Sequence, residues 1–166
     1  MAVTPGWNPF QAQNLLLPED YEWMKELTKT AGGDSGAKRG DDDVVAPFNR
    51  LVDGWLLSIA LGIRSGDEVH AYEPPAHKFE TGARLASDEH AIRFLHHAAL
   101  AEMLKTAKDH ESQEEAAYKV IEEPAKVIAI CNDLAARGVP ILRQMVNEAT
   151  LPTLPALTRA LSGELK

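Results

Sequence analysis

Six histidines, His70, His77, His90, His96, His97 and His110, fall between positions 70 and 110 of a 166-residue chain. Imidazole is the commonest metal ligand and titrates near neutral pH, so this segment first suggests a metal-assisted hydrolase or lyase. On a helix, His90 and His97 share an outward face two turns apart. A zinc site adds a third ligand at i+3 or i+4 and an acceptor behind each imidazole, and the spacing supplies neither. The histidines therefore read as surface and loop residues.

Glu102 lies one turn from Ala98 and Ala99, near the middle of an apolar helical face where an unpaired carboxylate is costly. It reads either as an acid or base of raised pKa or, in preference, as the partner of Arg64, Arg84 or Arg93. Asp53, beside Arg50, reads as solvated or ion-paired. Cys131 lies on the apolar side of a helix; burial raises a thiol pKa and opposes nucleophilic use, so it reads as core. Gly33-Asp34-Ser35-Gly36 spells the tetrapeptide around a serine-protease nucleophile, but that geometry needs a β-barrel and a positioned His and Asp. Gly36-Ala37-Lys38-Arg39 lacks the hydroxyl residue and the preceding strand of a phosphate loop. Lys38 and Arg39, followed by three aspartates, read as a solvated loop. The residues assemble no catalytic constellation and call for no metal or other cofactor.

The elements that must position these residues read as helices. Pro5, Gly6, Trp7, Pro9 and Phe10 give an arm over 1–17 that lies on a core through its aromatics. Pro18, Glu19 and Asp20 open a helix running to about Thr30. The glycine-rich, charge-segregated stretch 31–43 reads as a mobile loop. From Pro47, Phe48, Leu51, Val52, Trp55, Leu56, Ile59, Ala60 and Ile63 follow the helical i, i+3, i+4, i+7 pattern. Along the edge of that stripe Gly54, Ser58 and Gly62 recur every four residues, which predicts a second helix crossing closely there. Residues 67–86 read as a long ordered loop in which Val69, Tyr72 and Phe79 form short extended pieces.

Ser87, followed by Asp88 and Glu89, caps a helix to about Lys108. Acidic residues from Asp109 start the next, which Pro124 ends. Pro124 opens another helix, stopped at Gly138; Pro140 opens its successor, and a short helix follows near 156–161. The reading is an all-α, single-domain bundle of five to seven helices around a central apolar helix, 47–64. Leu57, Leu61 and Arg64 lie off the core stripe, large apolar residues bordered by charge, and form the candidate partner-binding surface.

Composition sets the outer limits. Seventeen Lys plus Arg against 25 Asp plus Glu give a formal charge of -8, which repels nucleic-acid phosphate overall, leaves only local basic patches able to bind it, and argues against direct sequence-specific binding. The same charge, with the carboxylates between Asp109 and Glu123, leaves an acidic mimic of DNA as a further alternative. One cysteine indicates a reducing compartment such as the cytoplasm, and no apolar run reaches the roughly 18 residues of a membrane span.

The run from Pro47 and Phe48 to Gly66 resembles a helix of small proteins encoded beside bacterial DNA phosphorothioation (Dnd) gene clusters, the family loosely called associated protein four. The family's Ala-x-x-Gly-x-x-x-Gly ending is matched by Ala60-Leu61-Gly62-Ile63-Arg64-Ser65-Gly66 with a shortened final spacing. Leu134 to Leu142 is similar to its Ala-Asn-Gly-Gly-x-x-Ile-Leu stretch. The resemblance implies a small helical accessory protein of a phage-defence or DNA-modification locus. It supplies no catalytic residues and implies as partners the other protein subunits of that system. A homo-oligomer is a further expectation.

Overall fold

Leu15 and Leu17 are completely buried while Leu16, between them, is only half-buried, the period of a strand lying on a core. In the computed structural model, which describes residues 8–28, 48–65, 71–85 and 88–148, these leucines form β1 (Asn14–Leu17). It pairs antiparallel with β2 (His77–Thr81), with a bulge between Leu15 and Leu16. The expected arm thus carries a strand, and the expected loop carries its partner followed by a 3-10 turn, Gly82–Leu85. Among the described residues the fold is mostly helical, broadly as the all-α reading has it, with one small two-stranded sheet that the reading lacks. Phe10, at the head of β1, is fully buried, as an arm anchored by aromatics requires.

The first helix is shorter than its sequence suggests: α1 is a single turn, Glu22–Lys25. The central helix, α2 (Leu51–Ser65), begins four residues after Pro47, because Asp53 accepts the Arg50 backbone N–H at 2.9 Å and sets the helix start there. The next helix, α3 (Glu89–Leu104), is capped by Asp88, whose side chain accepts from the Ala91 amide at 3.0 Å. Asp109 and Ser112 form a reciprocal capping box at the start of α4 (His110–Glu122), which ends just before Pro124 as expected. Trp7, Lys38, Arg39, Val69, His70, Ser87, the 31–43 loop and the helix near 156–161 lie outside the described residues.

The largest departure is α5, which runs unbroken over Pro124–Glu148 where two helices meeting at Gly138 and Pro140 were expected. Gly138 is no C-cap; it is the point where α5 touches α2. A Cβ built on Gly138 falls 1.8 Å from the Ser58 carbonyl oxygen, and one on Gly62 falls 2.0 Å from that of Leu134. The Gly54, Ser58, Gly62 edge is therefore the crossing surface, and its partner is the Leu134 to Gly138 turn. The Ser58 hydroxyl donates to the Gly54 carbonyl at 2.9 Å, which satisfies it within its own helix. Pro140 removes one helical hydrogen bond at a cost near 3 kcal/mol. Burial of Val139, Leu142 and Met145 on both sides of it carries the helix through.

One apolar cluster joins α2, α3, α5 and β1 around Trp55, Ile59, Leu95, Val127 and Leu134. The strand is tied to α5 by Asn132, itself 4% exposed: its Oδ1 accepts the Leu16 amide at 2.9 Å and its Nδ2 donates to the Asn14 carbonyl at 3.1 Å.

Candidate functional site

Continuity of α5 decides where the charged residues meet. Glu102 on α3 accepts from Lys105, one turn along its own helix at 2.6 Å, and from Arg137 of α5 at 2.9 Å. Arg137 also reaches Asp133 at 2.5 Å, the Tyr72 hydroxyl donates to Asp133 at 3.1 Å, and the guanidinium lies 5.9 Å from the Tyr72 ring centroid. Burial pushes the Glu102 carboxyl upward; hydrogen bonds from Lys105 and Arg137 outweigh it and hold the group below the usual range. Burial likewise opposes charge on Arg137, but its contacts with Tyr72, Glu102 and Asp133 raise its pKa further. Glu102 is thus an ionised strut between α3, α5 and the segment before β2.

Its partner differs from the three expected. Arg84 pairs with Glu80 at 3.1 Å, Arg93 with Glu89 at 3.3 Å, and Arg64 is exposed at the end of α2. The i, i+3 spacing to Lys105 was available as a signal; Arg137 was hidden because Gly138 beside it reads as a helix end. Asp53 is ion-paired, as expected, with Arg50 at 2.8 Å. Cys131 is fully buried, its Sγ 3.6 Å from the Leu95 carbonyl oxygen, and burial pushes the thiol up to about 12, far from a thiolate at neutral pH.

The histidines separate. His77 lies 5.0 Å from the Tyr21 ring, His90 and His97 are exposed, and His110 pairs with Glu114 at 3.5 Å on the surface. Half-buried His96 tilts against Phe10 with 5.0 Å between ring centroids. Among the described residues no three His, Cys, Asp or Glu side chains group to hold a metal ion.

Burial holds His96 below its ordinary 6.5, so the unfolded chain takes up a proton at a higher pH than the folded one. Its contribution to stability is complete above pH 6.5 and is lost as pH falls through the lower, folded pKa. The urea midpoint should therefore fall between pH 7.5 and pH 5.5, and His96→Gln should flatten that slope. An unchanged slope in the variant would assign the pH dependence to other groups. Glu102 acts in a lower window: its stabilisation is present above its ordinary 4.5 and disappears as pH falls through its depressed value.

The expected partner surface on α2 is largely covered. Leu61 is 3% exposed and Leu57 packs half-buried against the core, so neither presents an open apolar face; of the three only Arg64 is exposed. The reason is that α2 is apolar on nearly every side and packs against α1, α3 and α5 at once. Sequence reasoning read α4 as acidic and missed its outward side. Tyr118 and Ile121 are 65% and 62% exposed, one turn apart, while Ala116 and Val120 face the core from the opposite side.

A cleft of about 560 Å³ opens beside Pro140, lined by Pro18, Asp20, Tyr72, Glu73 and Arg143 among others. Asp20 and Arg143 face each other there at 2.5 Å, and the guanidinium lies 5.8 Å from the Trp23 ring centroid. These two lining charges satisfy each other on exposed side chains. No described helix is long and apolar enough to cross a membrane. No protein-family model, curated protein or solved structure matches the chain.

Proposed function

We propose that this chain is a non-catalytic accessory or regulatory subunit that acts by protein-protein contact, in the setting of a bacterial DNA-modification or phage-defence system. The observation that carries the binding role is the outward face of α4. A helix that only covers a core needs one apolar side, supplied here by Ala116 and Val120. Tyr118 and Ile121 form a second, solvated apolar pair, and an exposed tyrosine beside a branched aliphatic residue suits the centre of an interface. The setting rests on the resemblance of the 47–66 and 134–142 stretches to the Dnd-associated family. The ionised Glu102 strut and the neutral, buried Cys131 thiol favour structural over catalytic use of those groups.

Co-expression with the proteins encoded beside it tests the reading. The chain should elute with a stoichiometric partner, and Tyr118→Ser with Ile121→Ser should release that partner. Because both positions are exposed, the double variant should keep its helical signal and stay within about 1 kcal/mol of the parent in stability. A parent chain that elutes alone with every neighbour would overturn the proposal.

A further inference from the structure

From the chemistry around Tyr118 and Ile121 we infer that α4 docks a cationic amphipathic helix of another protein, an inference that rests on the binding role proposed above. On the helix surface Glu114 lies one turn before Tyr118, and Glu111 and Glu122 flank the same outward side. All three carboxylates are exposed. Glu111 and Glu122 make no ion pair among the described residues, Glu115 is neutralised by Lys119, and Glu114 has only surface His110. The face is an apolar pair inside an uncompensated anionic border.

That pattern selects its occupant. A second copy of the chain, seated on the same face, would set the two carboxylate borders against each other. Nucleic acid and anionic lipid are repelled for the same reason. A helix with leucine-like residues at i, i+3, i+4 and i+7, bordered by lysine or arginine, buries Tyr118 and Ile121 in its apolar groove. Its charges then meet Glu111, Glu114 and Glu122 at the rim. Rim charges of this kind act mainly on the rate of association and on specificity, so binding weakens with salt.

The test uses the full chain and three fluorescent peptides of about 18 residues, roughly five helical turns. One is an amphipathic leucine-lysine helix, the second has glutamate for every lysine, and the third scrambles the leucine-lysine order. Fluorescence anisotropy should show binding of the first alone. Affinity should drop about tenfold or more in Tyr118→Ser with Ile121→Ser. In Glu111→Gln with Glu114→Gln and Glu122→Gln it should drop with a flatter salt dependence. Equal binding of the acidic or scrambled peptide, or undiminished binding by either variant, overturns the inference. So does a dimer of the chain that the serine variant abolishes. A native partner released by the serine variant, with no binding of the leucine-lysine helix, overturns the partner chemistry and leaves the interaction role standing. Loss of both overturns both.

Discussion

Adding one methyl group at position 62 should destabilise the protein by more than about 3 kcal/mol, while adding the same group at position 54 should change stability by no more than about 1 kcal/mol. Both residues are helical glycines on one edge of α2, and helix propensity alone favours alanine equally at each. What differs is the neighbour. At Gly62 a Cβ would lie 2.0 Å from the Leu134 carbonyl oxygen and 2.9 Å from its carbon. Those are backbone atoms of a helix packed against α2, α3, α4 and β1, so α2 and α5 must separate along their contact, which opens voids beneath Ile59 and Leu134. At Gly54 the nearest atoms are the Met24 sulfur at 3.0 Å and its Cγ at 3.3 Å. A thioether side chain shifts cheaply. Gly62→Ala should therefore lower the melting temperature by roughly 10 °C on the scale of a chain this size, and Gly54→Ala by a few degrees at most. Gly138→Ala should behave as Gly62→Ala does, its Cβ meeting Ser58 at 1.8 Å. Equal melting temperatures for the two α2 variants would mean that the helices do not cross at this distance.

The same glycines measure how far the chain could be read from its residues. Period four of Gly54, Ser58 and Gly62 announces a close approach, and that expectation survives. Its partner was missed, because a glycine followed two residues later by proline is the local signature of a helix end. Local signatures compare a helix with an unfolded chain; Gly138 and Pro140 sit where contacts with α2, α3 and β1 outweigh about 3 kcal/mol of lost backbone bonding. Breaking α5 on paper also displaced Arg137, which is why Glu102 was paired with arginines elsewhere. The sheet was illegible for a related reason. Four residues, Asn14 to Leu17, carry too short an alternation to announce a strand; the strand pairs with β2 on one edge, and Asn132, far along the chain, bonds its backbone as a further strand would. The outward face of α4 was hidden by its own charge: four glutamates dominate the composition of the helix and conceal that Tyr118 and Ile121 are out of phase with Ala116 and Val120.

Asn132 offers the sharper test of this architecture, because its two hydrogen bonds can be separated. Its amide closes the edge of β1 with one accepted and one donated bond, a pairing that an ionised carboxylate cannot supply. Asn132→Leu keeps the volume but leaves the Leu16 N–H and the Asn14 carbonyl without that partner, at about 1–3 kcal/mol for each group. Partial exposure of Asn14 places the sum at roughly 2–4 kcal/mol. Asn132→Asp keeps the acceptor for the Leu16 amide and sets an oxygen against the Asn14 carbonyl, with a charge at a site only 4% exposed. At pH 7 it should be at least as damaging as leucine.

The two variants part on acidification. Burial and the facing carbonyl raise the pKa of the introduced carboxyl in the folded state above its unfolded value, so the neutral acid is the form the fold accepts. Once protonated it donates to Asn14 while still accepting from Leu16. For a raised pKa, the stabilising form is fully present below the unfolded value and is lost as pH rises through the folded one. Relative to the parent at each pH, which removes the acid sensitivity of His96 and Glu102, Asn132→Asp should recover as pH falls from 7 towards 4, and Asn132→Leu should not. Parallel losses for the two variants across that range would show that Asn132 fills space against β1 without bonding its backbone. The hold of β1 on α5 would then come from the burial of Leu15 and Leu17.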